Sequence, residues 1–260
     1  MYRADRLNAI LSYLNDHQSM SVDQAMREFS ASSATIRRDF SHLIASGMAA
    51  RGPNEVRKPS APALGIDPPF SVRKMTMRAE KRAIARRAAG YLKNGDVVFI
   101  DGGTTTHCMV EFLGALELRV VTTCIHVANS LNELRQDNGN LEIVMPGGVL
   151  MPRSNVLYGA HTSDQLQTYF ARWAFIGVDG TDGTSLFSVN EFISSSQKTM
   201  IANSDRTVLL MDHAKYRRPS MVRTIDLDER FVIVTDKHES LAEMADKVRK
   251  SGAELTFVEP

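Results

Sequence analysis

At 260 residues the chain can form one large domain, or a small domain and a medium one. Its 43% hydrophobic and 23% charged content is that of an ordinary globular protein, and no run of about 18 uninterrupted apolar residues suggests a membrane span. The net charge of +1 hides an asymmetry: residues 1–90 hold fifteen Lys and Arg against eight Asp and Glu, residues 91–260 sixteen against twenty-two. A basic front and an acidic remainder point to a polyanionic partner for the front alone. Two cysteines, Cys108 and Cys124, are too few for a disulfide framework or a structural zinc site. The seven histidines show no i, i+4 pair, so neither a metal nor a cofactor is expected. Met1 to Arg6 contains no apolar leader, which with thirteen methionines predicts a cytoplasmic protein.

In chain order, Leu7, Ile10, Leu11 and Leu14 share one face of a helix predicted over 3–15. Ser21 is placed to cap a second helix, Val22 to Phe29, whose apolar face is Val22, Ala25, Met26 and Phe29. After the polar interruption Ser30-Ala31-Ser32 comes a third helix, predicted over 33–46 and ended by Gly47. Helix, tight turn and helix at this spacing is the helix-turn-helix arrangement, whose second helix enters the major groove of double-stranded DNA. Ile36, Phe40, Leu43 and Ile44 form the inward stripe of the third helix; Ser33, Thr35, Arg37, Arg38 and Ser41 face outward. Arginine can bind guanine bidentately and hydroxyls can anchor phosphates. Two adjacent arginines diverge by about 100° on a helix, so one is expected to read a base and the other to hold backbone. The same pattern is compatible with a three-helix bundle carrying a solvated polar face.

Prolines 53, 59, 62, 68 and 69 predict a semi-stiff linker. A basic run follows, Arg73, Lys74, Arg78, Lys81, Arg82, Arg86 and Arg87, whose later part is a helix with Ile84, Ala85, Ala88 and Leu92 inward. Beyond residue 90, strand-like runs at 97–100, 120–122, 143–145, 174–177, 208–211 and 231–235 alternate with helical stretches near 106–115, 125–136, 190–203 and 239–251. This predicts an α/β domain with a largely parallel sheet, which binds ligands beyond the carboxyl ends of its strands.

The loops at those ends are chemically suggestive. Asp101-Gly102-Gly103-Thr104-Thr105-Thr106 runs from the first strand into a helix, a setting in which small residues and hydroxyls accommodate an anion. Without a Walker lysine or the dinucleotide spacing, the natural ligand is a small phosphate ester; a tight turn with capping threonines reads equally well. Thr122-Thr123, Gly147-Gly148, Asp179, Asp212 and Lys215 lie at further strand ends, and Lys198 on the helix after Glu191. Asp and Lys there can hold a sugar phosphate, or can form an acid–base set for isomerising one. Trp173, beside an apolar strand, is expected in the core.

Thr35-Ile36-Arg37-Arg38-Asp39-Phe40, with Leu43 and Gly47 downstream and Arg6, Ile10 and Leu14 upstream, resembles the DeoR family of bacterial transcriptional regulators. The likeness continues through Glu80-Lys81, Ile84-Ala85, the Asp101–Thr105 loop, Val121-Thr122, Gly147-Gly148, Phe175-Ile176-Gly177, Asp212 and Lys215. It implies a winged helix-turn-helix over 1–58, a linker over 59–72, and a sugar-phosphate-sensing α/β domain over 73–260 related in fold to pentose-phosphate isomerases. It also implies that Arg51 joins the DNA contacts, that residues 102–106 hold the effector's phosphate, and that Asp179, Lys198, Asp212 and Lys215 surround its sugar. A repressor of a sugar or polyol operon, dimeric or tetrameric to match a palindromic operator, follows from the likeness. An isomerase or deaminase with an appended DNA-binding head is the alternative, and a head used for protein contacts a weaker one. Two departures stand out: Arg51-Gly52-Pro53-Asn54 where the family has a His-Gly-Gly-Ala wing, and Thr123 where it has Asn.

Overall fold

Leu7, Ile10, Leu11 and Leu14 do lie along one helix, α1 (Arg3–His17), which ends where Gln18 takes a φ of 63°. The computed structural model describes residues 2–45, 48–58, 70–135, 139–152, 154–217 and 220–260. Contacts divide the chain into two units, residues 1–76 and 77–260.

In the first unit, β1 (Ser19–Ser21) leads into α2 (Val22–Phe29). Ser21 caps α2 as expected, and Gln24 completes a reciprocal box: Gln24 N donates to Ser21 Oγ at 3.1 Å, and Ser21 N to Gln24 Oε1 at 2.9 Å. α3 (Ser33–Ala45) buries Ile36, Phe40 and Leu43 against Ile10, Leu14 and Ala25; its expected end at Ser46 and Gly47 lies outside the described residues. A wing follows, β2 (Ala50–Gly52) and β3 (Glu55–Arg57) pairing antiparallel across Pro53 and Asn54. Pro53 presets the first corner of this turn and Asn54, at a φ of 55°, supplies the left-handed second one. β3 is central, flanked by β2 and by β1, a strand too short to announce itself in sequence. α4 (Phe70–Met75) packs Val72 and Met75 onto the same core. The boundary expected at 72/73 therefore falls inside a helix of the head, while linker residues 59–69 lie outside the described residues.

The second unit begins with α5 (Arg78–Ala89), β4 (Asp96–Ile100), α6 (Thr104–Cys108), β5 (Leu118–Val121), α7 (Ile125–Leu134) and β6 (Leu141–Val144). A hairpin of β7 (Val149–Met151) and β8 (Val156–Tyr158) then leads through α8 (Ala160–Gln167) to β9 (Ala171–Gly177). Next come β10 (Gly180–Thr181), β11 (Ser185–Ser188), α9 (Glu191–Ala202), β12 (Ser204–Leu210) and β13 (Val222–Asp226). The chain closes with β14 (Phe231–Asp236), α10 (Ala242–Ser251) and β15 (Glu254–Val258). Seven strands form one parallel sheet in the order β15-β14-β12-β9-β4-β5-β6. Alternation along β4 sends Val98 and Ile100 into a core with Ile84, Ala88, Val127 and Leu131, and Phe99 into an opposite core with Met200, Ile201, Met244 and Val248. Trp173 is buried as expected, 5.2 Å from the Tyr91 ring.

From β4 the chain builds outward through β5 to β6, then returns to the other side of β4 to lay down β9 and β12. The carboxyl ends of β4 and β9 thus form the topological switch point, where a parallel sheet opens a crevice. Besides β1 and α4, the features outside the sequence reading are the β7–β8 hairpin, α8, the edge strand β15 of the main sheet and a small antiparallel sheet, β10-β11-β13.

Candidate functional site

The outward face of α3 has a definite centre. Opposite the buried residues Ile36, Asp39, Phe40 and Leu43, a helix of about 3.6 residues per turn places Ala34, Arg38, Ser41 and Ala45, all exposed. Arg38 and Ser41 therefore project straight away from the head, while Arg37 leans to the wing side. There the Arg37 guanidinium donates to Asn54 Oδ1 of the wing turn at 2.8 Å and to Ser33 Oγ at 3.3 Å. The unexpected Pro53-Asn54 wing tip thus has a job: it ties the wing to the recognition helix. Ser32 Oγ accepts from Thr35 N at 3.3 Å and lies 3.0 Å from the Thr35 hydroxyl, opening the helix with hydroxyls. Thr35, Arg37, Arg38 and Ser41 line one open concavity of about 580 Å³ together with Arg3, Arg6 and Asp39. Arg51 is exposed on β2, outside that lining.

In the body, the expected anion loop follows β4. Asp101 N donates to Phe175 O at 2.9 Å, carrying the β4–β9 ladder into the loop. The Asp101 carboxylate is 3% exposed and accepts from Gln197 Nε2 at 2.7 Å; the same amide donates to Gly177 O at 3.0 Å. Gln197 therefore straddles the switch point. Burial pushes the Asp101 carboxyl up from its ordinary 3.8 to about 7, and the nearby charge of Asp179 adds to this. The Gln197 amide and the backbone N–H groups of Gly102 and Gly177 pull the other way without cancelling it. Asp179 is held by Val189 N at 3.0 Å and by the Ser188 hydroxyl at 3.3 Å.

The loop's small residues serve packing. A Cβ on Gly102 would lie 2.2 Å from Val156 Cγ1, so β8 rests directly on the loop. Thr104 and Thr105 are buried in the first turn of α6. The Thr106 hydroxyl, fully buried, donates back to Asp101 O and Gly103 O, at 2.8 and 3.0 Å, so it clamps the loop's own backbone and is not directed at a ligand.

The remaining expected residues divide. Asp212, buried two residues past β12, lies 3.9 Å from the buried ammonium of Lys81 on α5, and Lys215 is half-buried on the turn after it. Thr122 and Thr123 are buried at the end of β5, where Thr122 Oγ1 accepts from Cys124 N and Thr123 O from Leu157 N. Gly147 and Gly148 sit past β6, the edge strand. Gly147 spends both backbone groups on α8, accepting from Thr162 Oγ1 and donating to Gln165 Oε1, each at 2.7 Å. Gly148, at a φ of 155°, would press a Cβ to 2.1 Å from Thr162 Oγ1. Both glycines are tied to α8 by these contacts. Lys198 is exposed on α9, and the residue of that helix bonded to Asp101 and Gly177 is its neighbour Gln197. An uncharged amide in a helical run gives no sequence signal, whereas a lysine attracts one. Lys81 was visible in a basic run and in the family likeness, without an assigned partner. Among the described residues no group of His, Cys, Asp and Glu could hold a metal, and no helix is long and apolar enough to cross a membrane.

A winged helix-turn-helix with an arginine-bearing recognition face, on a chain whose other unit is a parallel α/β sheet with a crevice at its switch point, is the build of a DNA-binding regulator. Residues 6–57 match the DeoR-like helix-turn-helix domain and residues 76–237 the DeoR C terminal sensor domain. The chain belongs to the DeoR family of transcriptional regulators. It is 29% identical over 238 residues to the glycerol-3-phosphate regulon repressor of Escherichia coli (strain K12), covering 91% of this chain and 92% of that one. It is also 29% identical over 259 residues to the HTH-type transcriptional repressor GlcR of Bacillus subtilis (strain 168), covering 100% and 98%. A solved D-ribose-5-phosphate isomerase in complex with phospho-erythronic acid aligns at 16% identity and a TM-score of 0.40 over 54% of each chain, too weak a likeness to add anything. Family membership decides against the isomerase alternative: the chain is a regulator and not an enzyme.

Proposed function

We propose that this protein represses a sugar or polyol utilisation operon in the cytoplasm, binding operator DNA as a homodimer or homotetramer and leaving it when a phosphorylated sugar or polyol binds the body. The observation that carries the reading is the crevice at the switch point, where a Gly–Thr loop enters a helix beside Asp101, Asp179 and Gln197. The relatives named for a glycerol-3-phosphate regulon and for transcriptional repression support the same assignment.

In this reading the loop from Gly102 to Thr105 receives the phosphate through backbone N–H groups and hydroxyls, while Asp179, Asp212 and Lys215, with Thr122 and Thr123 nearby, face the polyol. A phosphate dianion beside Asp101 favours the protonated carboxyl, so binding takes up a proton near neutral pH. On the head, Arg38 and Ser41 address base edges; Arg37, Ser33, Thr35 and Arg51 address the backbone. An effector releases DNA only through different affinities for the DNA-bound and free arrangements.

The test is a thermal-shift screen of sugar and polyol phosphates on the purified full chain, followed by operator gel shifts with each hit. A ligand that binds only the native state raises the apparent melting temperature. A phosphorylated hit that dissociates the operator complex, with its unphosphorylated parent inert, supports the reading. A hit set made up of unphosphorylated compounds would overturn it.

A further inference from the structure

The motif from Thr35 to Asp39 contributes four residues to the recognition helix in the obvious way: Thr35, Arg37 and Arg38 outward, Ile36 inward. Asp39 fits neither role. It is a carboxylate on the buried stripe of α3, 1% exposed, in a head whose partner is a polyanion. A buried charge needs a partner, and Asp39 has two on α1. Arg6 Nε donates to Asp39 Oδ2 at 2.6 Å, and Arg3 Nε to Asp39 Oδ1 at 3.3 Å.

The two arginines differ in what they have left to offer. The Arg6 side chain is 10% exposed and belongs to the interior, neutralising the carboxylate. The Arg3 side chain is 58% exposed and shares the concavity with Arg38, Ser41 and Thr35. Asp39 engages Arg3 through Nε alone among its described bonds. A guanidinium held at one nitrogen and open to solvent at the edge of a groove-facing helix is arranged for a second anion. A backbone phosphate flanking the groove is the anion that docking of α3 brings there.

We infer that Arg3 is a DNA backbone-phosphate contact delivered from the first helix, and that Asp39 is its positioning residue, acting on DNA through Arg3. This rests on the DNA-binding reading of the head. A phosphate contact weakens all sequences alike and lowers the salt dependence of binding by about 0.9 in the log–log slope, whereas a base contact changes preference among sequences.

The experiment measures the affinity of the full chain for a short random-sequence duplex, and for a duplex selected by the wild-type chain from a randomised pool, across a salt series. Arg3→Ala leaves the Arg6–Asp39 pair in place, so the head stays folded. It should bind both duplexes several-fold more weakly by a similar factor, with the slope reduced by about 0.9. Asp39→Asn tests the positioning role: its slope should match that of Arg3→Ala, and adding Arg3→Ala to it should cost nothing further. Because Asp39→Asn leaves Arg6 buried beside a neutral group, the head's melting is followed alongside. An unchanged slope in Arg3→Ala, with salt-dependent binding by the wild type intact, overturns the Arg3 contact alone. Additive losses in the double variant overturn the positioning role of Asp39. Absence of DNA binding by the wild type overturns the DNA-binding reading of the head and this inference with it.

Discussion

The head and the body keep their working charges in opposite places. On the head Arg37 and Arg38 are exposed, hydrated until DNA arrives, and cost the fold little. In the body Asp101 is buried at the switch point of the sheet and raised to about 7 by that burial. A surface that meets a large polyanion can rely on long-range attraction and many weak contacts. A crevice that distinguishes one small molecule from another must exclude water, so its polar groups are costly before the ligand binds and sensitive to what enters. Mutations on the head should therefore alter binding and spare stability; those in the body should alter both.

The sharpest way to break that comparison is Asp101→Asn. The native state holds its proton more tightly than the unfolded chain, so wild-type stability falls as pH rises from about 4 to about 7 and stays low above. At about 1.4 kcal/mol per pKa unit, the penalty above pH 7 is on the order of 4 kcal/mol, an upper figure because other groups relax. Urea unfolding should therefore find Asp101→Asn more stable than the wild type at about pH 8, with the gap closing towards pH 4. A pH-independent difference would show that the carboxyl is not raised. For the same reason effector affinity should fall as pH climbs past neutrality, by calorimetry in two buffers of unlike ionisation heat.

Next in size is Gly102→Ala, whose Cβ collides with Val156. A loss of about 1–3 kcal/mol is expected from overpacking, partly restored by Val156→Ala in the same chain. On the head, Arg38→Ala should cost about 1–3 kcal/mol of operator binding and relax base preference, with melting unchanged. Arg37→Ala should weaken all duplexes evenly; if it alters preference, the assignment of the two arginines is reversed. Smallest is Lys198→Ala, exposed and expected within about 0.5 kcal/mol in both stability and effector affinity, whereas Gln197→Ala lowers the latter.

What the sequence disclosed follows the same division. Helices α1 to α3 and the six strand runs are long or strongly patterned, so apolar periodicity found them. The β7–β8 hairpin and the strand pairs of β10, β11 and β13 are two to five residues long and exist through tertiary pairing, which leaves little local signal. The outward arginines were legible because exposed recognition chemistry uses charge. Gln197 was not, because its importance lies in spanning Asp101 and Gly177 O, a relation between three distant segments. Lys198 was conspicuous for the complementary reason: charge stands out in a sequence even where the side chain faces water.

The close approach of Gly102 to Val156 also limits how such a protein can acquire a new effector. The loop that would be altered to admit a different ligand carries a strand on its back, so a larger residue at 102 costs stability unless a smaller one has already appeared at 156. Sterics favours the change at 156 coming first, and a library that varies the loop alone will find replacements at its first glycine destabilised.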